Sequence, residues 1–241
     1  MKYLPDNCIM ILVTNPSESV CVLGDEEICV SEGMNILSQT VYPKMKLHME
    51  FHGAGIKNIE FRNVDTSQIT DMNSMFAECC SLTALDLRSF NTSAITNMHS
   101  MFYECVSLQV INLAGFDTSN VTTMGRMFFH CKALQDLSLR GWNNSKVMDM
   151  HKMFMKCRNL KRIDLTDFKT SKVTTMARMF AECNSLRIIT LQSFDTSQVK
   201  DMSGMFMDCY ELRCLYINTL DTSGVKYKKD MFTGCPCLTN I

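Results

Sequence analysis

The dipeptide Met-Phe recurs at a constant interval of 26 residues, and this interval restricts the fold more than any other feature of the chain. The pair occurs seven times, from Met75 to Met231, and one cysteine and one leucine keep the same interval. Six successive intervals without an insertion indicate a repeat array. In such an array each unit buries its apolar side only by stacking on its neighbours.

Each repeat predicts one short helix and one short strand. In the fifth copy, Thr170 and Ser171 offer side-chain oxygens that can cap a helix start. Apolar residues follow at steps of three and four, which is the spacing of one helix face (Val173, Met176, Met179, Phe180 and Cys183). Ile189 and Leu191 then alternate with polar neighbours, as in a short strand that faces a core. We therefore expect an α/β solenoid of leucine-rich-repeat type, a right-handed array of seven repeats.

The repeat divides the chain into two parts. Residues 51–241 form the expected solenoid, with an additional strand at Ile59 and Phe61 ahead of the first complete copy. Residues 1–50 contain two β-like runs, 8–13 and 20–23, and we expect a β-rich N-terminal cap that covers the first repeat. A separate functional module is the alternative. The array stops in mid-strand at Ile241, so we expect that the chain continues or that a partner, including a second copy, covers this uncapped C-terminal end.

The repeats resemble the BspA-like leucine-rich repeat family. The resemblance rests on the blocks 116–124 and 194–199 and on the Met-Phe-x-x-Cys-x-x-Leu motifs, and it covers about residues 56–241. It implies a repeat domain of the kind found in bacterial and protozoan surface proteins, which bind host proteins or mediate adhesion.

Neither an export signal nor a membrane span is visible in the sequence. The first apolar run follows Pro5 and Asp6 and is shorter than the roughly 7–15 residues of a signal-peptide core. No stretch approaches the ~20 apolar residues that span a bilayer. We therefore expect a cytoplasmic protein, or a secreted or cell-surface protein if a signal peptide has been removed.

The 13 cysteines and 21 methionines follow from the repetition. Seven cysteines occupy one apolar position, where a buried thiol behaves as a small hydrophobe. A disulfide between stacked copies is within reach, but the odd number and the parallel side chains favour free thiols. The periodic Met pairs indicate core packing rather than a soft-metal site. His99 and His151 share a register two repeats apart, yet the five histidines form no catalytic constellation, so we expect no enzyme, cofactor or metal.

Positions that vary between repeats are expected to line the exposed side of the strands, where repeat proteins bind ligands. Residues 126–178, which we call the basic belt, also hold twelve Lys and Arg against four Asp and Glu, a net charge of +8. From these two features, the candidate partner-binding residues are Arg88, Val110, Asp136, Arg140, Arg158, Arg162, Ile188 and Tyr216. A merely solvated surface is the alternative interpretation.

The sequence therefore predicts a non-catalytic protein-binding scaffold. The mixture of charged, amide and apolar side chains suits a protein partner, whose identity the sequence does not reveal. Few aromatic residues accompany the basic belt, so base stacking, and with it a nucleic-acid partner, is not favoured. A bacterial-type surface adhesin and the recognition domain of a larger effector are the alternative functions.

Overall fold

A computed structural model describes the backbone of residues 8–15, 19–23, 26–30, 33–40, 58–62, 66–67, 69–217 and 221–239, and side-chain environments at residue 61 and from residue 66 onward within these ranges. Ile241 lies outside the described residues. Within them the chain forms eleven strands: β1 Cys8–Asn15, β2 Ser19–Leu23, β3 Glu26–Val30, β4 Gly33–Thr40, β5 Asn58–Arg62, β6 Ala84–Asp86, β7 Val110–Asn112, β8 Asp136–Ser138, β9 Arg162–Asp164, β10 Ile188–Thr190 and β11 Cys214–Tyr216.

The N-terminal strands are joined to the repeats through β1. Strand β1 pairs antiparallel with β4 on one side and with β5 on the other, where Met10 lies opposite Arg62 and Thr14 opposite Asn58. Strands β2 and β3 form a separate antiparallel pair. The two β-like runs of the sequence are β1 and β2, whereas β3 and β4 were not expected. Because β1 occupies one edge of β5, that edge is closed to other strands.

The repeats stack their short strands in parallel with a shift of one repeat. The additional strand expected before the first complete copy is confirmed as β5, which pairs Ile59 with Leu85 of β6. Strands β6 and β7 continue this sheet, β8 pairs with β9, and β10 pairs with β11. We call β5 to β11 the strand ladder. Its side chains alternate between core and surface: in β10, Ile189 is buried between exposed Ile188 and Thr190.

The helices predicted for the Met-Phe segments are absent from the described residues, and that prediction is wrong. Each segment is a chain of tight turns, in which the N–H groups of Met75, Ala77 and Cys79 each donate to the carbonyl three residues earlier. An α-helix would bond every N–H four residues back. In a series of tight turns, as in a helix, side chains three and four residues apart lie on the same side of the backbone. The spacing of the apolar residues alone therefore could not distinguish a helix from a series of turns.

The intervening N–H groups bond to the next repeat instead. Phe76 donates to the carbonyl of Met101 at 2.8 Å, and the equivalent bond recurs in each later pair of repeats, as far as Phe206 and Met231 at 2.9 Å. Ser74 and Glu78 have φ of 56° and 60°, in the left-handed region that an α-helix does not use. Tertiary contact between repeats, rather than local propensity, therefore determines this backbone.

We call these stacked segments the turn ladder: residues 71–78, 97–104, 123–130, 149–156, 175–182, 201–208 and 227–234. Single parallel bridges join its members in an unbroken series (Asp71–Asn97, Asn97–Thr123, Thr123–Asp149, Asp149–Thr175, Thr175–Asp201 and Asp201–Tyr227). The turn ladder and the strand ladder lie half a repeat apart along the chain. They bound the apolar core on two sides.

The core consists of columns of identical side chains. The phenylalanines of the Met-Phe pairs stack with ring centroids 5.2 to 5.7 Å apart, from Phe76 to Phe232. A second aromatic column contains Phe116, Trp142, Phe168 and Phe194 at 6.0 to 6.5 Å. Stacked rings add to the free energy of burying their surfaces.

From Cys105 to Cys235, the periodic cysteines are free thiols that donate to backbone carbonyls of the preceding repeat. The Sγ atom of Cys157 donates to the carbonyl of Phe128 at 3.0 Å, and Cys105 and Cys183 make the equivalent bonds at 2.9 and 3.1 Å. Burial raises the pKa of Cys157 to about 12. Cys157 therefore remains protonated in the core and is a poor nucleophile.

A column of buried threonines also joins the repeats, and here a local prediction fails again. The sequence assigned Thr170 to a helix cap, but its Oγ1 donates to the carbonyl of Asp195 in the next repeat at 2.8 Å. Thr118 bonds the carbonyl of Asn143 in the same way at 3.2 Å. In the fourth copy Asn144 replaces threonine, is completely buried, and leaves both its amide nitrogen and its amide oxygen without a partner.

Candidate functional site

The variable positions of the strand ladder form an exposed surface, which we call the strand face. Register places Asp136 beside Arg162, Ile188 beside Cys214, and Thr190 beside Tyr216. Large apolar side chains are unusually exposed on this face: Val110 by 63%, Ile188 by 54% and Tyr216 by 47%. Exposed apolar groups among charged neighbours are characteristic of surfaces that bind proteins.

A groove with a volume of about 690 Å³ crosses the strand face where the strand ladder is interrupted. Within the described residues, β9 and β10 belong to different sheets, although they are successive repeats. The groove lies over this break. Its walls combine apolar, hydroxyl and charged groups (Lys161, Arg162, Ile163, Ser185, Arg187, Ile188, Thr190 and Glu211).

Several charged side chains on the strand face are paired. Arg162 forms an ion pair with Asp136 of the preceding repeat, and Arg187 lies 2.7 Å from Glu211 of the following one. The hydrogen bond from Arg162 lowers the pKa of the Asp136 carboxyl. Arg162 and Ile188 therefore both border the groove, while Asp136 orients the guanidinium of Arg162.

The remaining predicted residues do not join this groove. Arg88 pairs with Asp86 at 2.7 Å in the first sheet, which also contains Val110 and is separated from β8 by a second break. Arg140 is exposed near Asp164, whose pKa is lowered by hydrogen bonds from Thr166 and further by the charge of Arg140. The predicted residues thus occupy several patches of the strand face.

Arg158 does not lie on the strand face, because it follows directly after a segment of the turn ladder. Its guanidinium is 2.8 Å from the carboxylate of Glu182, and its charge is among those that lower the pKa of His130. From the sequence, the basic belt was expected to form one surface. The structure divides it between the strand face and the surface of the turn ladder, which we call the turn face.

The turn face also contains a histidine pair. His99 and His151 lie in repeats two apart, and their ring centroids are 5.8 Å apart. Gly125 stands between them in the stack, where a Cβ atom would come within 2.7 Å of His151 Nδ1. Without a side chain at position 125, the His151 ring can lean towards His99. The shared register of the two histidines was the only sequence signal for this contact.

Hydrogen bonds define the tautomer of the neutral His151 ring. Its Nδ1 lies 2.8 Å from an oxygen of Asp149, and its Nε2 lies 3.2 Å from Nε of Arg126. A guanidinium can only donate, so Nε2 accepts and the proton of the neutral ring is on Nδ1. The Ser100 hydroxyl contacts His99 rather than His151. The arrangement is therefore not that of a Ser-His-Asp triad.

Among the residues that the structure describes, no group of three or more His, Cys, Asp or Glu side chains is arranged to hold a metal ion. In the same part of the chain there is no helix with the length and hydropathy needed to cross a membrane.

The sequence matches one protein-family model, described as "Mycoplasma protein of unknown function, DUF285", over residues 45–162 and 134–240. The chain belongs to this family. The two overlapping matches together span the repeats, so the membership concerns the stacked part of the molecule. The narrower assignment to the BspA-like family stays a prediction.

A solved structure similar to this DUF285 member is a leucine-rich repeat protein from Bacteroides ovatus. The two are 15% identical, the match covers 84% of this chain and 73% of the other, and the TM-score is 0.36. No curated protein matches the sequence.

Proposed function

We propose that this chain is a non-catalytic protein-binding scaffold, a solenoid that presents its strand face to a partner. The observation that carries the proposal is the groove over the β9–β10 break, which combines exposed Ile188 with the charges of Arg162, Arg187 and Glu211. Interfaces in proteins commonly combine a central apolar anchor with a polar rim.

The contrast between core and surface supports the proposal. Core positions such as those of Met176, Phe180 and Cys183 keep the same residue in successive repeats, and their burial explains why. Strand-face positions, which core packing does not constrain, differ from repeat to repeat. A surface that varies on a uniform scaffold is typical of repeat proteins that recognise other proteins.

The test is affinity capture from lysates of the source organism and of any host, with bound proteins identified by mass spectrometry. One variant changes the groove, Ile188→Asp with Arg162→Ala. The matched control is Met148→Thr, because Met148 is 50% exposed away from the groove and aligned repeats have threonine there, as at Thr122 and Thr174.

A partner that is captured by the wild type and the control but lost from the groove variant would support the proposal. Capture that is unaffected by the groove variant, or a turnover activity that one of these substitutions abolishes, would contradict it. Circular dichroism and thermal unfolding of all three proteins establish that each is folded. Both groove substitutions are at exposed positions, so their effect on stability should be within about 0.5 kcal/mol.

A further inference from the structure

The turn face contains two rows of polar side chains at left-handed backbone positions. One row precedes the second methionine of each repeat and includes Ser100, Arg126, Lys152, Arg178 and Gly204, with φ between 54° and 58°. The second row lies four residues further on and includes Glu104, His130, Lys156, Glu182 and Asp208, with φ between 55° and 66°. Positive φ is unfavourable for a residue with a Cβ atom, and tertiary structure must maintain it.

Three successive repeats place a cation in the first row. The backbone N–H groups of Arg126, Lys152 and Arg178 each donate to a carbonyl of the next repeat at 2.9 Å, so this part of the backbone is held by inter-repeat hydrogen bonds. Neighbouring hydrogen-bonded strands lie about 4.8 Å apart, which puts Arg126 and Arg178 on the order of 10 Å apart. The positive charges are therefore held close together before any ligand binds.

These charges lack the acidic partners that those of the strand face have. In the described part of the chain, no carboxylate forms an ion pair with Arg126, Lys152, Lys156 or Arg178, whereas Arg88, Arg162 and Arg187 each have one. Burial lowers the pKa of Lys152, and the charges of Arg126, Arg178 and Lys156 lower it further.

The second row extends the positive potential. Burial lowers the pKa of His130, and Lys156, Arg158 and Lys132 lower it further, although Glu104 acts in the opposite direction. We call Arg126, Lys132, Lys152, Lys156 and Arg178 the cationic cluster. Like charges held together in a stack oppose one another, and binding of an anion would relieve this repulsion.

Acidic residues beside the cationic cluster limit the length of an anion that can bind to it. In the second row, Glu104 stands before His130 and Glu182 after Lys156, so acids lie at both ends along the stack. A polyanion that ran along the stack would meet these carboxylates. A segment short enough to stay over the first row would contact Arg126, Lys152 and Arg178 instead, because the acids stand in the second row. Beside the cluster, the rings of Tyr103 and Phe129 stack at 4.9 Å, and Lys156 lies 5.6 Å from the Phe129 centroid.

We propose that the cationic cluster of the turn face binds a short carboxylate-rich segment of a partner protein, which lies over the third to fifth Met-Phe segments. The proposal rests on the function proposed above but uses a second surface. The guanidinium groups of Arg126 and Arg178 suit carboxylates because they present several donors in one plane. The aromatic pair offers an apolar contact beside them.

The test measures binding of a fluorescent oligoglutamate peptide, with an oligoglutamine peptide of equal length as the uncharged control. A turn-face variant combines Arg126→Ser, Lys152→Ser and Arg178→Ser. Serine occupies this row with positive φ at Ser74 and Ser100, so the substitutions are compatible with the backbone. The matched control removes the same charge from the strand face by Arg88→Ser, Arg140→Ser and Arg213→Ser, all at exposed positions.

We expect the turn-face variant to bind oligoglutamate roughly tenfold or more weakly and the strand-face control to bind within about twofold of the wild type. Equal affinity in the turn-face variant, or equal binding of oligoglutamine, would overturn the proposal. So would tighter binding of a single-stranded oligonucleotide of the same charge, because that would assign the cluster to phosphates. Partner capture by the groove is measured separately with the Ile188 and Arg162 variant, so the two proposals fail independently.

Discussion

The strand ladder and the turn ladder are built by the same seven repeats, yet they differ in continuity. Bridges join the turn ladder from Asp71 to Tyr227 without a gap, whereas the strand ladder is divided between three sheets in the described residues. The Met-Phe pairs belong to the continuous ladder, and those from Met75-Phe76 to Met205-Phe206 are buried. The variable residues belong to the interrupted one and are exposed. The difference shows that stacking depends mainly on the turn ladder, which leaves the strand face free to vary.

The largest difference that we predict between the two ladders is in the reactivity of their cysteine thiols. Cys157, directly after the fourth segment of the turn ladder, has a pKa raised by burial to about 12, while Cys214 in β11 is partly exposed. A pKa of about 12 lowers the thiolate fraction at pH 8 by roughly a thousandfold relative to an ordinary thiol. Alkylation followed by peptide mass spectrometry should modify Cys214 at least a hundredfold faster. Equal rates under native conditions would show that the turn ladder opens readily.

Deletion of a ring from the turn ladder should have the next largest effect. Phe154 is completely buried and stacks on Phe128 and Phe180. Phe154→Ala should lower the free energy of unfolding by about 3–5 kcal/mol because it removes a large side chain and leaves a cavity. Ile188→Ala on the strand face should change it by less than about 0.5 kcal/mol. Denaturant unfolding measures both, and a comparable loss from the two variants would contradict the division between the ladders.

Restoring threonine at position 144, where asparagine interrupts the column of buried threonines, should stabilise the protein. Asn144→Thr places a hydroxyl where Thr118 and Thr170 donate to the next repeat, with the carbonyl of Lys169 as its expected acceptor. It also removes two buried amide atoms without partners. We expect a gain of about 1–2 kcal/mol in the free energy of unfolding. Asn144→Val is the control, because it removes the same unpaired atoms without supplying a hydroxyl; stability equal to that of Asn144→Thr would show that the hydrogen bond contributes nothing.

The smallest predicted effect concerns pH. Burial lowers the pKa of His99, and the charge of His151 lowers it further, so the unfolded chain takes up a proton more readily than the folded one. This contribution to stability is complete above the ordinary pKa of about 6.5 and is lost as the pH falls below it.

Thermal unfolding should therefore begin at a lower temperature at pH 5.5 than at pH 7.5, and His99→Asn should reduce this difference. Asparagine is the residue at the equivalent position 73. Thr190→Ala on the strand face is the control and should leave the pH dependence unchanged. An unchanged pH dependence in His99→Asn would show that this histidine does not contribute.

Much of this molecule could be predicted from its own periodicity. Register, the parallel pairing of Ile59 with Leu85, and the burial of Met75, Phe76 and Cys79 all follow from a constant interval of 26 residues, because only one stacking shift brings like side chains together. The exposed positions of Val110 and Ile188 follow from strand alternation in the same way.

Tertiary structure alone decided the backbone of the Met-Phe segments and the distribution of charge. Apolar residues at steps of three and four fit a helix and a chain of turns equally well, and hydrogen bonds such as that from Phe76 to Met101 select the turns because they join residues in different repeats. For the same reason, the sequence gives the number of basic residues in the basic belt but does not reveal which of them lie on the strand face and which on the turn face. Whether an arginine lies beside a carboxylate, as Arg162 does, or beside other cations, as Arg126 does, depends on contacts between repeats that no single repeat contains.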